Sequence, residues 1–138
     1  METTVRYVNG VKFIAASRGH EVVCDQPADN AGTDEGMTPP EFLLASLGTC
    51  AGFYAVQYLN ARGLPSSGLQ VRVSGEKAKA PARVASFLIE ISVPGLQDER
   101  HREGVLRAAK SCLIHNTLLN PASIETVLRP AAAAAVAE

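Results

Sequence analysis

The sequence predicts an α+β fold, and three observations carry that prediction. The first third reads as short β-rich runs separated by turn residues. The stretch from Phe42 to Leu59 holds no formal charge. Beyond it lie two alternating runs, an amphipathic segment and a last short run, so strands and helices come in blocks rather than as repeated βαβ units.

Each element has its own signal. Val5-Arg6-Tyr7-Val8 and Val11-Lys12-Phe13-Ile14 flank Asn9-Gly10, a pair suited to the positive backbone angles of a tight hairpin turn. Glu21-Val22-Val23-Cys24 follows the turn Ser17-Arg18-Gly19-His20 and makes a third strand. From Gln26 to Met37 the chain is rich in Asp, Asn, Gly and Ala and reads as a surface loop.

Thr38-Pro39-Pro40-Glu41 opens the long helix with a Thr cap, proline in the first turn and Glu three residues after the cap. Gly63 and Pro65 close it near Asn60 or Arg62. A membrane span must be weighed for such a segment. Ser46, Gly48, Thr49, Gln57 and Asn60 within the helix, and strand patterns on both sides, argue instead for a buried central helix.

Leu69 to Val73 and Ala85 to Val93 alternate as half-buried strands do. A second helix is predicted over Asp98 to Leu113, with Val105, Leu106, Ala109, Cys112 and Leu113 on one inward stripe. A final strand is predicted over Ile124 to Leu128. The chain is read as one domain over residues 1–129 and an alanine-rich tail, 130–138, that frays.

Several function classes are excluded by composition. With 46% hydrophobic and 20% charged residues, the chain of 138 can bury a core. A net charge of −1 with dispersed basic residues offers no field for nucleic acid or anionic lipid. The start Met1-Glu2-Thr3-Thr4 lacks the pattern of a signal peptide, so a cytoplasmic protein is expected. Three cysteines point to thiol chemistry or plain burial rather than a disulfide scaffold. Cys24, Cys50, Cys112 and the three histidines lack paired-ligand spacing, so no metal is expected. His20 and His101 read as a turn residue and a helix-surface residue.

The long helix is apolar on nearly all sides and needs cover on more than one face. One sheet from so short a chain covers one side, and a second copy is the natural source of the other. A homodimer is therefore expected.

Two segments carry a resemblance: Thr38-Pro39-Pro40-Glu41-Phe42-Leu43-Leu44-Ala45-Ser46-Leu47-Gly48-Thr49-Cys50, and Ser111-Cys112-Leu113-Ile114-His115-Asn116-Thr117-Leu118-Leu119-Asn120. Together they resemble the two cysteine motifs of the OsmC/Ohr family of osmotically inducible and organic hydroperoxide resistance proteins. The resemblance implies an antiparallel sheet with a central buried helix, an intertwined homodimer and a thiol peroxidase site at each end of the interface. It implies that Cys50 attacks the peroxide, Cys112 resolves the sulfenic acid, and Glu41 helps organise the site. The reductant it implies is an external dithiol, in some members a protein-bound lipoyl group, with no further cofactor.

Bland readings stand beside these roles. A free Cys often serves as a small buried hydrophobe, and Glu41 completes a capping box whether or not it has another task. Within one straight helix Glu41 cannot approach Cys50: nine positions amount to about half a turn out of phase and about 13.5 Å along the axis. Antiparallel packing of two central helices would let Glu41 reach the Cys50 of a partner.

The chain also departs from the family. The first hairpin turn, Asn9-Gly10, lacks the arginine usual there, although Arg6 and Arg18 are near in sequence. Leu113 follows the second cysteine where the best-known catalytic members have proline. A buried thiol without a cationic neighbour has its pKa raised. His115 either supplies an imidazolium near Cys112 or lies past the helix end against terminal carbonyls. Two functions remain: a thiol peroxidase for organic hydroperoxides, or a non-catalytic module holding a small apolar ligand at the dimer interface.

Overall fold

The computed structural model describes residues 1–130. Three strands, β1 (Thr4–Asn9), β2 (Lys12–Ser17) and β3 (His20–Cys24), form an antiparallel meander. A loop with one 3-10 turn at Ala28–Asn30 leads to α1 (Pro39–Asn60). The antiparallel pair β4 (Gln70–Lys79) and β5 (Ala82–Ser92) follows, then α2 (Glu99–Lys110) and α3 (Leu113–Leu119). The fold is mixed α+β, as predicted.

The first hairpin turns one residue later than expected. Asn9 pairs with Lys12, so Gly10 and Val11 form the turn, and Gly10 takes the left-handed conformation with φ +52°. Arg18 and Gly19 form the second turn, both at positive φ. For Arg18 this is an uncommon conformation that lacks glycine's freedom.

The core lies under α1. Leu47, Ala51, Ala55 and Leu59 recur every four residues and are buried, with Val105 and Ala109 of α2 also in the core. Spacing of four keeps side chains on one helix face. Around Ala55, Leu59 and Val105 pack the partly buried Tyr58, Leu64, Leu69, Ile91, Val93 and Leu96. Burying a leucine such as Leu59 stabilises by about 1.5–3 kcal/mol. Gly48 and Gly52 bring α1 close to β4: a Cβ at Gly48 would stand 2.9 Å from Val73 Cγ2, and one at Gly52 3.3 Å from Val71 Cγ2.

Four expectations are corrected. The predicted helix over Asp98 to Leu113 ends at Lys110, because Ser111 leaves helical geometry and Cys112 starts a separate short helix. With that break Leu113 turns outward, and Leu106 is exposed too, so neither shares the inward stripe. Ile124 to Leu128 forms no strand; Ile124 and Leu128 are almost fully exposed, and alternation without a neighbouring strand pairs no backbone group. The second sheet is longer than read, since the ladder continues through Glu76, Lys77 and Lys79 into β5. Its exposed face tolerates charge, which hides the strand in a polar sequence. The alanine-rich tail lies, from residue 131, outside the described residues.

The long helix is central but not enclosed. Over its most apolar 18-residue window, 28% is buried within the chain, and Phe53 is largely exposed. The meander is barer still: Val5 and Tyr7 are 60% and 62% exposed, and its extensive contacts are only among its own strands.

Candidate thiol site

Cys50 and Cys112 come together between α1 and the α2–α3 junction. Cys50 is half-buried near the middle of α1, and Cys112 is fully buried as the N-cap of α3. Cys112 Sγ accepts a hydrogen bond from the backbone N–H of His115 at 3.2 Å. Both thiols are free.

Burial dominates the electrostatics at Cys112. Burial pushes the Cys112 thiol up from its ordinary value, and hydrogen bonding and charge at Cys50 push it further. The N–H groups of His115 and Ile114 pull the other way without prevailing. None of these causes is a cationic side chain. Cys112 therefore stays protonated across the neutral range.

His115 contributes in a way that neither sequence reading described. It lies inside α3, not past a helix end, and its backbone, not its ring, bonds the sulfur. Its ring lines a mainly apolar cleft of about 580 Å3 between α1, β5 and α3, walled by Leu43, Leu47, Phe87, Ile89 and Leu118, with Arg83 also in the lining. That cleft adjoins the thiols: Leu47 is about one helical turn from Cys50, and His115 touches Cys112.

Glu41 is at the other end of α1. Its Oε2 accepts from the Thr38 N–H at 2.7 Å and from Thr38 Oγ1 at 2.8 Å. Those two bonds, followed by the charge of Lys77, hold its carboxyl below the usual range. The capping reading is what one chain displays. Glu41 is exposed and more than two turns from Cys50, so no site role arises within a single chain.

Arg6 and Arg18 stay with the meander. Arg6 faces Glu21 at 3.6 Å, and Arg18 sits in the second turn. Cys24 ends β3 opposite Phe13 and takes no part in the pair.

The sequence reading missed Asp25. It is 1% exposed, and its carboxylate accepts from the N–H groups of Gln26, Thr33 and Glu35 and from Thr33 Oγ1. Burial alone would raise its pKa, but these bonds outweigh it and hold the carboxyl at about 2. Beside it Lys12 and Glu35 form an ion pair at 2.7 Å, tying the first hairpin to the loop that leads into α1. The only signal was an acidic residue at a strand end followed by a run rich in Asp, Asn, Gly and Ala, which fits any solvated loop.

A family model described as OsmC-like protein matches residues 32–127, which include both cysteines and Glu41. No curated protein matches the chain. Among solved structures, the fold is similar to that of a proposed osmotic stress induced and detoxification response protein from Psychrobacter arcticus. The two share 22% identity at a TM-score of 0.78, over 83% of this chain and 85% of that one. An OsmC-like protein from Mycoplasma pneumoniae aligns at 22% identity and TM-score 0.71, covering 87% of each chain. The organic hydroperoxide resistance protein OsmC from Legionella pneumophila aligns at 14% identity and TM-score 0.60, over 86% of this chain and 89% of that one. At such identities the likeness establishes the fold.

Proposed function

The chain belongs to the OsmC-like protein family, and from that premise we propose that it is a thiol peroxidase for organic hydroperoxides, working as a homodimer in the cytoplasm. The observation that carries this reading is the meeting of Cys50 and Cys112, far apart in sequence, beside an apolar cleft.

The Cys50 thiolate attacks the distal oxygen of the hydroperoxide, the O–O bond breaks, and the alcohol leaves after taking up a proton. Cys50 is then a sulfenic acid. The Cys112 sulfur attacks it, water leaves, and a Cys50–Cys112 disulfide results. An external dithiol, a protein-bound lipoyl group among the candidates, reduces the disulfide by exchange. The charge of Cys50 is one cause that raises the Cys112 thiol, and that cause falls away once Cys50 is an uncharged sulfenic acid, which favours attack by Cys112.

A second copy of the chain is part of the reading. The bare meander and the largely uncovered α1 supply the apolar surface, and the same helix carries Ser46, Thr49, Gln57 and Asn60, which suit a protein partner better than lipid. In such a dimer Glu41 of one copy acts near Cys50 of the other, and Arg6 or Arg18 of the partner's meander is the source of the missing cation.

One observation favours a second reading. No cationic side chain is among the causes that set the Cys112 thiol, and a buried thiol without one is raised rather than activated. On that reading the protein is a binding module that holds a small apolar ligand in the cleft with both thiols reduced.

Hydroperoxide consumption with dithiothreitol as reductant separates the two. The peroxidase reading expects turnover of cumene hydroperoxide, faster than of hydrogen peroxide, that is abolished in Cys50→Ser and unaffected in Cys24→Ser. Absence of turnover at any dithiol concentration, with an apolar dye taken up by the cleft, would establish the module instead.

A further inference from the structure

We propose that the outer face of α2 and the C-terminal end of α1 form a binding site for a small oxyanion, a phosphoryl or carboxylate group on a compact molecule. The proposal is independent of the redox reading. It rests on a pocket of about 360 Å3 in which Arg62, Arg100 and Arg107 meet over Tyr58, His101 and Gly104.

The arrangement follows from the sequence of α2. Arg100 and Arg107 are seven positions apart, two turns of helix, and so share a side. His101 and Gly104 lie on the same flank, and α1 brings Arg62 to it just past its last turn. Three guanidinium groups thus converge in a chain whose net charge is −1. Gathering like charges is unfavourable unless something answers them. Glu103 answers Arg107 at 3.4 Å. Arg62 stacks on the Tyr58 ring at 3.7 Å and donates to the Tyr58 carbonyl at 3.2 Å, contacts that orient it without neutralising it. Among the described residues neither Arg62 nor Arg100 has a carboxylate within ion-pair distance.

The floor is shaped with equal economy. A Cβ at Gly104 would run into the Tyr58 hydroxyl. Glycine inside a helix costs about 0.5–1 kcal/mol relative to alanine, and here it makes room for that hydroxyl beneath the arginines. The hydroxyl meets His101 Nδ1 at 3.2 Å. When Tyr58 donates, the neutral ring carries its proton on Nε2 and gains a donor for an anion. The floor therefore presents an imidazole N–H, oriented by the Tyr58 hydroxyl, beside arginines whose planar forks match carboxylate and phosphate oxygens in pairs.

The volume decides the ligand's size. At about 360 Å3 the pocket is near the small end of ligand sites, which run from about 300 to 1,000 Å3. A single anionic group on a small body fits; a polymer backbone would engage a longer basic track than these arginines provide.

Titration calorimetry of the full chain tests the site, with inorganic phosphate in one arm and citrate in the other, ionic strength being held constant with sodium chloride. At least one arm is expected to saturate. Binding should weaken about tenfold or more in the double variant Arg100→Gln, Arg107→Gln, since two charge-assisted contacts are lost, and stay unchanged in Arg72→Gln, an exposed arginine on β4. Phosphate saturation alone would identify a phosphoryl ligand, and citrate saturation alone a carboxylate. Backbone amide shifts at Gly104 and Ser111 on titration would locate the site. No saturable heat in either arm, or equal affinity in the double variant, would overturn the proposal. The substituted arginines are exposed, and an unchanged far-ultraviolet dichroism spectrum confirms that the variant is folded.

Discussion

The meander β1–β3 and the helical half around α1 and α2 are built from similar proportions of apolar residues, yet only the second makes a core within the chain. Leu47, Leu59, Val105 and Cys112 are 2% exposed or less, whereas Val5 and Tyr7 keep most of their surface. Secondary structure alone does not bury a side chain. The meander pairs its strands through two hairpins and leaves its side chains without an opposing layer, which a two-layer domain requires. The thiol pair belongs to the region that is complete; the surfaces that remain open are those the proposed dimer would cover.

Substitutions sharpen this contrast. The largest effect is expected for Leu59→Ala, a loss of about 2–5 kcal/mol on chemical denaturation, because the side chain is fully buried in the cluster with Ala55 and Val105. Tyr7→Ala is the discriminating counterpart. It should cost less than about 0.5 kcal/mol if the meander is bare, and several times that, with a dependence on protein concentration, if a second copy covers it. Sedimentation of both variants beside the parent would show which description holds.

A smaller effect is expected for Thr38→Ala, about 1 kcal/mol, from loss of the cap at the start of α1. Arg72→Ala should change stability by less than about 0.5 kcal/mol, since its pairing with Glu90 is exposed and long.

Asp25 supplies a pH-dependent contrast. Its folded-state pKa of about 2 lies below the ordinary 3.8, so its contribution is present in full above the ordinary value and is lost as pH falls through about 2. Asp25→Asn should be less stable than the parent at neutral pH, and the gap should close on acidification in urea melts. A constant gap would show that the carboxylate's charge is not what the loop uses. At the thiol site the sign is opposite: Cys112 should reach half-alkylation only above pH 9.0, its ordinary value, because burial and Cys50 both raise it.

Much of the site was legible in the sequence because it is local. The Thr38 to Glu41 cap, the uncharged run that follows and the helical placement of Cys50 all lie within one element. Cys112 was correctly expected to be buried but for an incomplete reason: periodicity carried it along α2, whereas Ser111 ends that helix and Cys112 caps the next. The burial of Asp25 was not legible, since it depends on donors from Thr33 and Glu35 that converge only when the loop closes. Ile124 to Leu128 misled for the converse reason. Alternation describes a strand's faces, but a strand also needs a neighbour, and none stands beside this segment among the described residues.

The most direct test of the thiol pair is intact mass and peptide mapping after one equivalent of cumene hydroperoxide is added to the reduced protein. The account predicts rapid loss of two hydrogens and a single Cys50–Cys112 disulfide, with a sulfenic acid trapped on Cys50 in Cys112→Ser and no oxidation in Cys50→Ser. A parent that stays reduced over minutes, or oxidises at Cys24 instead, would contradict it.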